Sequence, residues 1–208
     1  MSGVFITFEG GDGSGKSTQT QLLAKRLRDL GQVCLLTREP GGCLLAEKIR
    51  ALLVADHADA REAMTELLLM SAARSEHIAR VIRPALARGE WVVCDRFVDS
   101  TVAYQGYGRH LDLERIQFLN HWVTQGLMPQ LTIYLDIDPQ LALQRVGAGG
   151  ERRFEQEPLV FHQLVRQGFL TLTNSSPERF FLVDAHLPIP IVAEKIWQLV
   201  QKHVYSHL

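Results

Sequence analysis

The segment Gly10-Gly11-Asp12-Gly13-Ser14-Gly15-Lys16-Ser17 constrains this chain more than any other feature. It fits G-x-x-x-x-G-K-[ST] and lies between a strand-like apolar run, Val4 to Glu9, and an amphipathic stretch beginning at Lys16. Strand, glycine loop and helix in that order make a phosphate cradle. Glycines let backbone N–H groups turn inward around phosphate oxygens, where side chains would obstruct the turn. The helix start adds unpaired N–H groups and the positive end of its dipole. Lys16 is placed to bridge the outer phosphates and the Ser17 hydroxyl to bind Mg²⁺. Gly10 through Ser17, with Thr18 beside them, are therefore the candidate nucleotide-binding residues. The pattern points to a nucleoside triphosphate and Mg²⁺, and leaves the fate of the γ-phosphate open.

Downstream, strand-length apolar segments alternate with helical periodicity. Val33 to Glu39, Trp91 to Arg96, Leu131 to Asp136 and Phe180 to Ala185 join Val4 to Glu9 as five expected strands. Several are apolar at consecutive positions, as parallel strands covered on both faces are. Helices are expected over Lys16 to Leu30, Leu45 to Val54, Arg61 to Arg88, Leu113 to Gln125, Pro139 to Val146, Glu155 to Thr173 and Ile189 to Val204. Gly31, Gly89 and Gly126 follow such patterns as C-terminal caps. This alternation predicts an α/β fold of the P-loop NTPase type: a doubly wound, five-stranded parallel sheet with helices on both faces. The chain reads as a single domain, 1–208. The glycine-rich Gly147 to Gly150 marks a short lid at about 147–154.

Composition narrows the partners. The 208 residues suit one α/β domain, and 46% hydrophobic with 22% charged residues is the balance of a globular chain. Lys+Arg total 22 against Asp+Glu 23, so the near-zero charge argues against a nucleic-acid surface. Cys34, Cys43 and Cys94 are odd in number without a C-x-x-C pair, which points to a reducing, cytoplasmic setting. The eight histidines show no metal-ligand spacing. No apolar run is long enough to span a bilayer, and the N-terminus reads as mature protein without a leader.

Three outcomes of a phosphate cradle then separate. A GTP switch needs a guanine-reading N-K-x-D, which the sequence lacks. An ATP-driven machine needs partner-binding bulk for which little chain is left. A small-molecule kinase needs cations opposite the cradle to draw two anionic phosphates together. Arg38, Arg74, Arg96, Arg152 and Arg153 supply them, and Arg38 and Arg96 end expected central strands, outside whose carboxyl ends ligands bind.

The segments VFITFEGGDGSGKSTQ, TREPGG, AAR-x-x-H (Ala72 to His77), CDRFVDSTVAYQGYGR and ERRFEQE resemble bacterial thymidylate kinases, over nearly the whole chain from Val4 to about Asp184. TREPGG and the stretch Asp95 to Arg109 are similar to that family's own signatures. The resemblance implies transfer of the ATP γ-phosphoryl group to dTMP, and a homodimer. Another nucleoside or nucleotide kinase is the alternative, and a nucleotide-dependent switch protein a more distant one.

The resemblance also implies roles. Arg38 clamps the acceptor phosphate, bidentately as a guanidinium can, and Arg96 is a second clamp that stabilises the transferring group. Asp95 ends a strand as a Walker-B-like carboxylate for Mg²⁺, or else as an ion-pair partner of an arginine. Arg50 either reaches the same phosphate or lies on a solvated helix face. Asp12 would repel phosphate and must point toward hydroxyl donors, a partner the resemblance identifies as the deoxyribose 3′-hydroxyl; otherwise it complements the helix dipole. Met70 and Arg74 share a helix face; by resemblance Arg74 donates to a thymine carbonyl and Met70, where the family more often has Phe, lies against the base, though ordinary core is open to it. Thr101, Tyr104 and Gln105 share a face if Ser100 to Tyr107 is helical. By resemblance Thr101 and Gln105 read the thymine edge, and Tyr104 packs where a ribose 2′-hydroxyl would clash; without the family, Tyr104 is a half-buried core residue. The family places its electrophilic arginine in the P-loop or the lid. Here the P-loop position is Gly13, so the lid supplies it, Arg153 aligning best and Arg152 second. Arg145 lies against adenine as in the family. Asp12, Lys16, Arg96, Arg152 and Arg153 form the candidate catalytic set. Phe97 in place of Tyr, and Cys43-Leu44 in place of Thr-Pro, are further departures, expected to alter packing rather than chemistry.

Overall fold

Val4 to Glu9 forms the central strand because all six of its side chains find cover, the apolar Val4, Phe5, Ile6 and Phe8 as well as Thr7 and Glu9. Val4, Ile6 and Phe8 enter one core layer with Leu23, Leu27 and Trp197, while Phe5 enters the opposite layer with Ile78, Ile82 and Phe97. This two-residue period with both faces buried is what a parallel strand between helical layers requires. Phe5 and Phe97 meet edge to face, centroids 4.9 Å apart, and each such side chain contributes roughly 1.5–3 kcal/mol by burial.

The computed structural model describes residues 3–55, 61–146, 154 and 156–205. Strands β1 (Val4–Glu9), β2 (Cys34–Arg38), β3 (Trp91–Asp95), β4 (Leu131–Asp136) and β5 (Phe180–Asp184) form one sheet in the order β2-β3-β1-β4-β5. All pairings are parallel. Around it lie α1 (Lys16–Asp29), α2 (Leu44–Val54), α3 (Ala63–His77), α4 (Arg83–Ala87), α5 (Val98–Thr101), α6 (Leu113–Thr124), α7 (Pro139–Val146), α8 (Leu159–Ser175) and α9 (Ile189–His203). The expected five-stranded α/β architecture is the one observed. Register aligns Asp95 with both Phe8 and Arg38. The loops after β1, β2 and β3 therefore leave the sheet at one level, side by side at its carboxyl edge.

Three local expectations need correction. Arg61 to Arg88 is not one α-helix: a π-helical turn, Ile78–Ile82, separates α3 from α4. Pro84 sits at the start of α4 and cannot donate to the preceding turn, so the chain widens before it. Ser100 to Tyr107 is α-helical only to Thr101 and continues as a π-helix over Val102–Gly108. The helix expected from Glu155 begins at Leu159, after Pro158, which disfavours helical backbone before it; Glu155 itself, with residues 147–153 of the lid expected at about 147–154, lies outside the described residues.

Helix α8 lies hard against the wide turn. A Cβ on Gly108 would come within 2.6 Å of Phe161, and one on Gly168 within 2.8 Å of Tyr107. That approach gathers Tyr104, Phe154, Phe161 and Phe169 into one aromatic cluster beside the sheet edge. Among the described residues no helix is long and apolar enough to cross a membrane.

Candidate active site

The cradle forms as its glycines require. Gly10 has φ 142° and Gly15, immediately before α1, φ 91°. A Cβ on Gly10 would stand 2.7 Å from the Leu135 carbonyl oxygen, so no larger residue fits there. Lys16 folds back over the loop, its Nζ donating to the carbonyls of Gly10 (3.1 Å) and Gly11 (2.7 Å). Burial, with Arg96 adding to it, lowers its pKa to about 8. Ser17 Oγ donates to Asp95 Oδ2 at 3.0 Å, while Asp95 Oδ1 is buried with no hydrogen-bond partner among the described residues. A hydroxyl beside a carboxylate with an unused oxygen fits a hard, oxygen-seeking cation such as Mg²⁺.

Arg96 links this half to the next. Its backbone is left-handed, φ 69°, a conformation that costs a non-glycine residue about 1–3 kcal/mol and marks a constrained position. Nη1 donates to the Gly10 carbonyl (3.0 Å) and Ser100 Oγ (3.1 Å), and Nη2 to Asp12 Oδ1 (2.6 Å) and the Tyr104 hydroxyl (3.1 Å). The guanidinium also lies 4.8 Å from the Tyr104 ring centroid. Burial pushes the Asp12 carboxyl up, but Arg96 and Lys16 outweigh it and bring its pKa down to about 2. Asp12 thus points at a guanidinium and, through Oδ2, at the Tyr104 hydroxyl 3.3 Å away.

Beneath this group lies Glu9, which sequence reasoning passed over as the last residue of a strand. It is fully buried, accepting from the Phe97 N–H at 2.8 Å and from the Ser100 hydroxyl. Burial, and then Asp99, raise its pKa to about 8. The folded chain therefore keeps a proton that an unfolded glutamate releases near pH ~4.3. That contribution to stability is complete below the unfolded value and is lost as the pH rises through about 8. The thermal midpoint of the wild-type chain should drop more steeply from pH 6 to 9 than that of Glu9→Gln, whose amide oxygen can still accept from the Phe97 N–H and whose nitrogen can donate to the Ser100 hydroxyl oxygen, without a charge. Parallel slopes in melts at constant ionic strength would contradict this.

The second half of the site is built on α3 and the loop after β2. Arg74 is buried; its Nε donates to Glu39 Oε2 (2.7 Å), Nη1 to Asn120 Oδ1 (3.1 Å) and Nη2 to the Phe97 carbonyl (3.0 Å). Glu39 is held in turn by His77 Nδ1 (3.0 Å), whose Nε2 meets Thr37 Oγ1 (2.7 Å). Arg38 pairs with Glu47 at 2.9 Å and Arg50 donates to the Pro40 carbonyl at 2.7 Å. Gln105 Nε2 donates to Glu66 Oε1 at 2.8 Å. Met70 packs against the aromatic cluster.

One cleft of about 560 Å³ unites the two halves, a volume in the range of small-molecule sites. Ser17, Thr18 and Arg145 line it at the cradle, Arg38, Arg50, Met70 and Arg74 across from them, and Asp95, Arg96, Thr101, Tyr104 and Gln105 between. Arg145 also donates to the Ala185 carbonyl at 3.0 Å. The widened turn has not dispersed Thr101, Tyr104 and Gln105. Gly10, Gly11 and Ser14 shape the loop without lining the cleft. Arg152 and Arg153 lie outside the described residues. Cations thus converge from the ends of β2 and β3 (Arg38, Arg96), the start of α1 (Lys16) and helices α2, α3 and α7 (Arg50, Arg74, Arg145), and no His or Cys lines the cleft among the described residues, an arrangement suited to holding anions together rather than to acid–base chemistry.

Known proteins bear on this geometry. The thymidylate kinase family model matches residues 8–196. A thymidylate kinase of Magnetococcus marinus is 51% identical over 203 residues, covering 97% of each chain. One from Pseudomonas entomophila is 51% identical over 197 residues, 94% of each. The crystal structure of thymidylate kinase from Ehrlichia chaffeensis superposes with a TM-score of 0.79 at 35% identity, covering 97% of this chain and 100% of that one.

Proposed function

The chain belongs to the thymidylate kinase family, and from that premise we propose that it uses this cleft to phosphorylate dTMP with ATP. The observation that carries the reading is Arg96, whose one guanidinium touches the cradle at Gly10, the Asp12 carboxylate and Tyr104 at the meeting point of the two halves. ATP lies with its phosphates in Gly10 to Thr18 and its adenine near Arg145. Lys16 exchanges its carbonyl partners for the outer phosphates. The dTMP phosphate rests against Arg38 and Arg96, with Arg50 at its side. A dTMP phosphate oxygen forms the new bond to the γ-phosphorus as the bond to the ADP oxygen breaks. The acceptor is already an anion, so no general base is needed. Ser17 and Asp95 would hold Mg²⁺, which when bound neutralises charge on the phosphate oxygens.

Arg153 from the lid, with Arg152 second, supplies positive charge to the transferring group as the lid excludes water. Met70 lies against the thymine, Arg74, Thr101 and Gln105 read its edge, and Asp12 accepts from the 3′-hydroxyl. Tyr104, fixed by its two hydrogen bonds and its aromatic neighbours, leaves no room for a 2′-hydroxyl. A coupled ADP-release assay over nucleoside and deoxynucleoside monophosphates tests this. Turnover should be highest with dTMP, lower with dUMP and much lower with the thymine ribonucleotide. Preference for another acceptor would favour a different nucleotide kinase.

The chain acts as a homodimer in this reading. Helices α3 and α6 are neighbours, and between them leave Met64, Leu68, Phe118 and Trp122 exposed, Phe118 and Trp122 at 71% and 70%. Such large apolar side chains on adjacent helices fit a self-association face. Sedimentation should give twice the chain mass for wild type and the chain mass for Trp122→Glu; a monomeric wild type would contradict it. Three free thiols, Cys34, Cys43 and Cys94, suit a cytoplasmic location.

A further inference from the structure

Gln105 is almost wholly buried yet lines the cleft. An amide side chain can present either a donor or an acceptor, and which one faces a ligand depends on what holds its other end. Here the other end meets Glu66, which is fully buried and does not line the cleft. Gln105 Nε2 donates to Glu66 Oε1 at 2.8 Å. Arg109 closes the arrangement from behind, Nε and Nη2 each 3.4 Å from a Glu66 oxygen. Arg109 is itself fixed by Glu157 and lies 4.7 Å from the Phe161 ring centroid. A carboxylate paired with an arginine only accepts, so turning the Gln105 amide over would set two acceptors against each other in a buried place. Among the described residues no hydrogen bond reaches Gln105 Oε1.

We propose that Glu66 is a positioning residue that determines base specificity: by holding the Gln105 amide nitrogen it fixes the carbonyl oxygen as the group Gln105 offers to the base. This rests on the reading of the cleft as the dTMP site. Thymine and uracil carry a hydrogen on N3 and match an acceptor. Cytosine carries a lone pair on N3 and leaves two acceptors facing each other. Arg74 works in the same sense, since a guanidinium has only donors and so prefers a carbonyl at position 4 to an amino group. The lock therefore favours the lactam edge over the amino edge, because a site built for a hydrogen bond rejects the analogue that cannot make it.

Glu66→Gln is the test, because the new amide can donate to Gln105 and let it turn. The ratio of kcat/KM for dTMP over dCMP should narrow by about tenfold or more. The loss on dTMP should appear mainly in its KM, with KM for ATP unmoved. Within a Gln105→Leu background, Glu66→Gln should change the ratio no further. A folded Glu66→Gln with the wild-type ratio, an equal loss on both acceptors, or a full additional effect in the Gln105→Leu background would overturn the proposal. If Glu66→Gln does not fold, Glu66→Asp keeps the charge on Arg109 and withdraws the oxygen from Gln105, and carries the same expectation in the ratio. A wild-type chain without dTMP turnover would remove the underlying reading, an outcome distinct from an unchanged ratio.

Discussion

Replacing Arg96 by lysine should lower kcat for dTMP-dependent ADP formation by about 10²–10³-fold, the effect of removing one preorganised electrostatic contact from a transition state. Charge is conserved in this variant, so what is tested is geometry. Arg96 makes four hydrogen bonds in a planar fork, to Gly10, Ser100, Asp12 and Tyr104. A lysine has three donors and no plane, and cannot span the cradle and Asp12 together. Asp12 would then lose the partner that most strongly opposes its burial, and its pKa would rise from about 2. The Tyr104 ring would lose the planar guanidinium beside it, and KM for dTMP should climb as well. Steady-state kinetics at saturating ATP, with a thermal melt to show that the variant folds, gives the answer. A folded variant with kcat within threefold of wild type would remove Arg96 from the reaction.

Arg153→Ala should be more severe, with kcat down by about 10³-fold or more, the scale on which an arginine finger acts. The cradle offers no side chain at Gly13, and Arg96 is already bonded to protein at every contact described above. In the proposed reading a further cation reaches the transferring group, and Arg153 is the residue that supplies it. KM for ATP should stay within a few-fold, because in that reading Arg153 acts on a charge that develops only during transfer. Arg152→Ala should cost less than tenfold. If the two variants exchange behaviour, Arg152 is the acting residue; if neither lowers kcat, the lid does not supply the charge.

What the sequence made legible and what it did not divide along physical lines. The strands were readable because parallel strands buried on both faces are apolar without interruption, as Phe5 and Ile6 illustrate. The cradle was readable because positive φ and close approach at Gly10 leave only glycine. Arg38 and Arg96 were readable because strand ends in such a sheet converge on one edge. Glu9, Glu39 and Glu66 were not assigned roles. Each acts through a partner distant in sequence, Glu9 through Phe97 and Ser100, Glu39 through Arg74, Glu66 through Gln105, and no local periodicity records such a pairing. Glu9 and Glu39 at least stand inside the two motifs that flank the site. Glu66 gives no local signal at all. The π-helical widening at Val102–Gly108 was equally hidden, since it follows from how closely α8 approaches at Gly108 and Gly168.

The central claim is that a triphosphate and a deoxynucleoside monophosphate lie end to end in one cleft with Arg96 where they meet. A compound joining adenosine to thymidine through a chain of phosphates measures this directly by inhibition kinetics. It should compete with ATP and with dTMP alike, bind once per chain by calorimetry, and bind more weakly to Arg96→Lys. Competition with only one of the two substrates, or unchanged affinity for Arg96→Lys, would contradict the account.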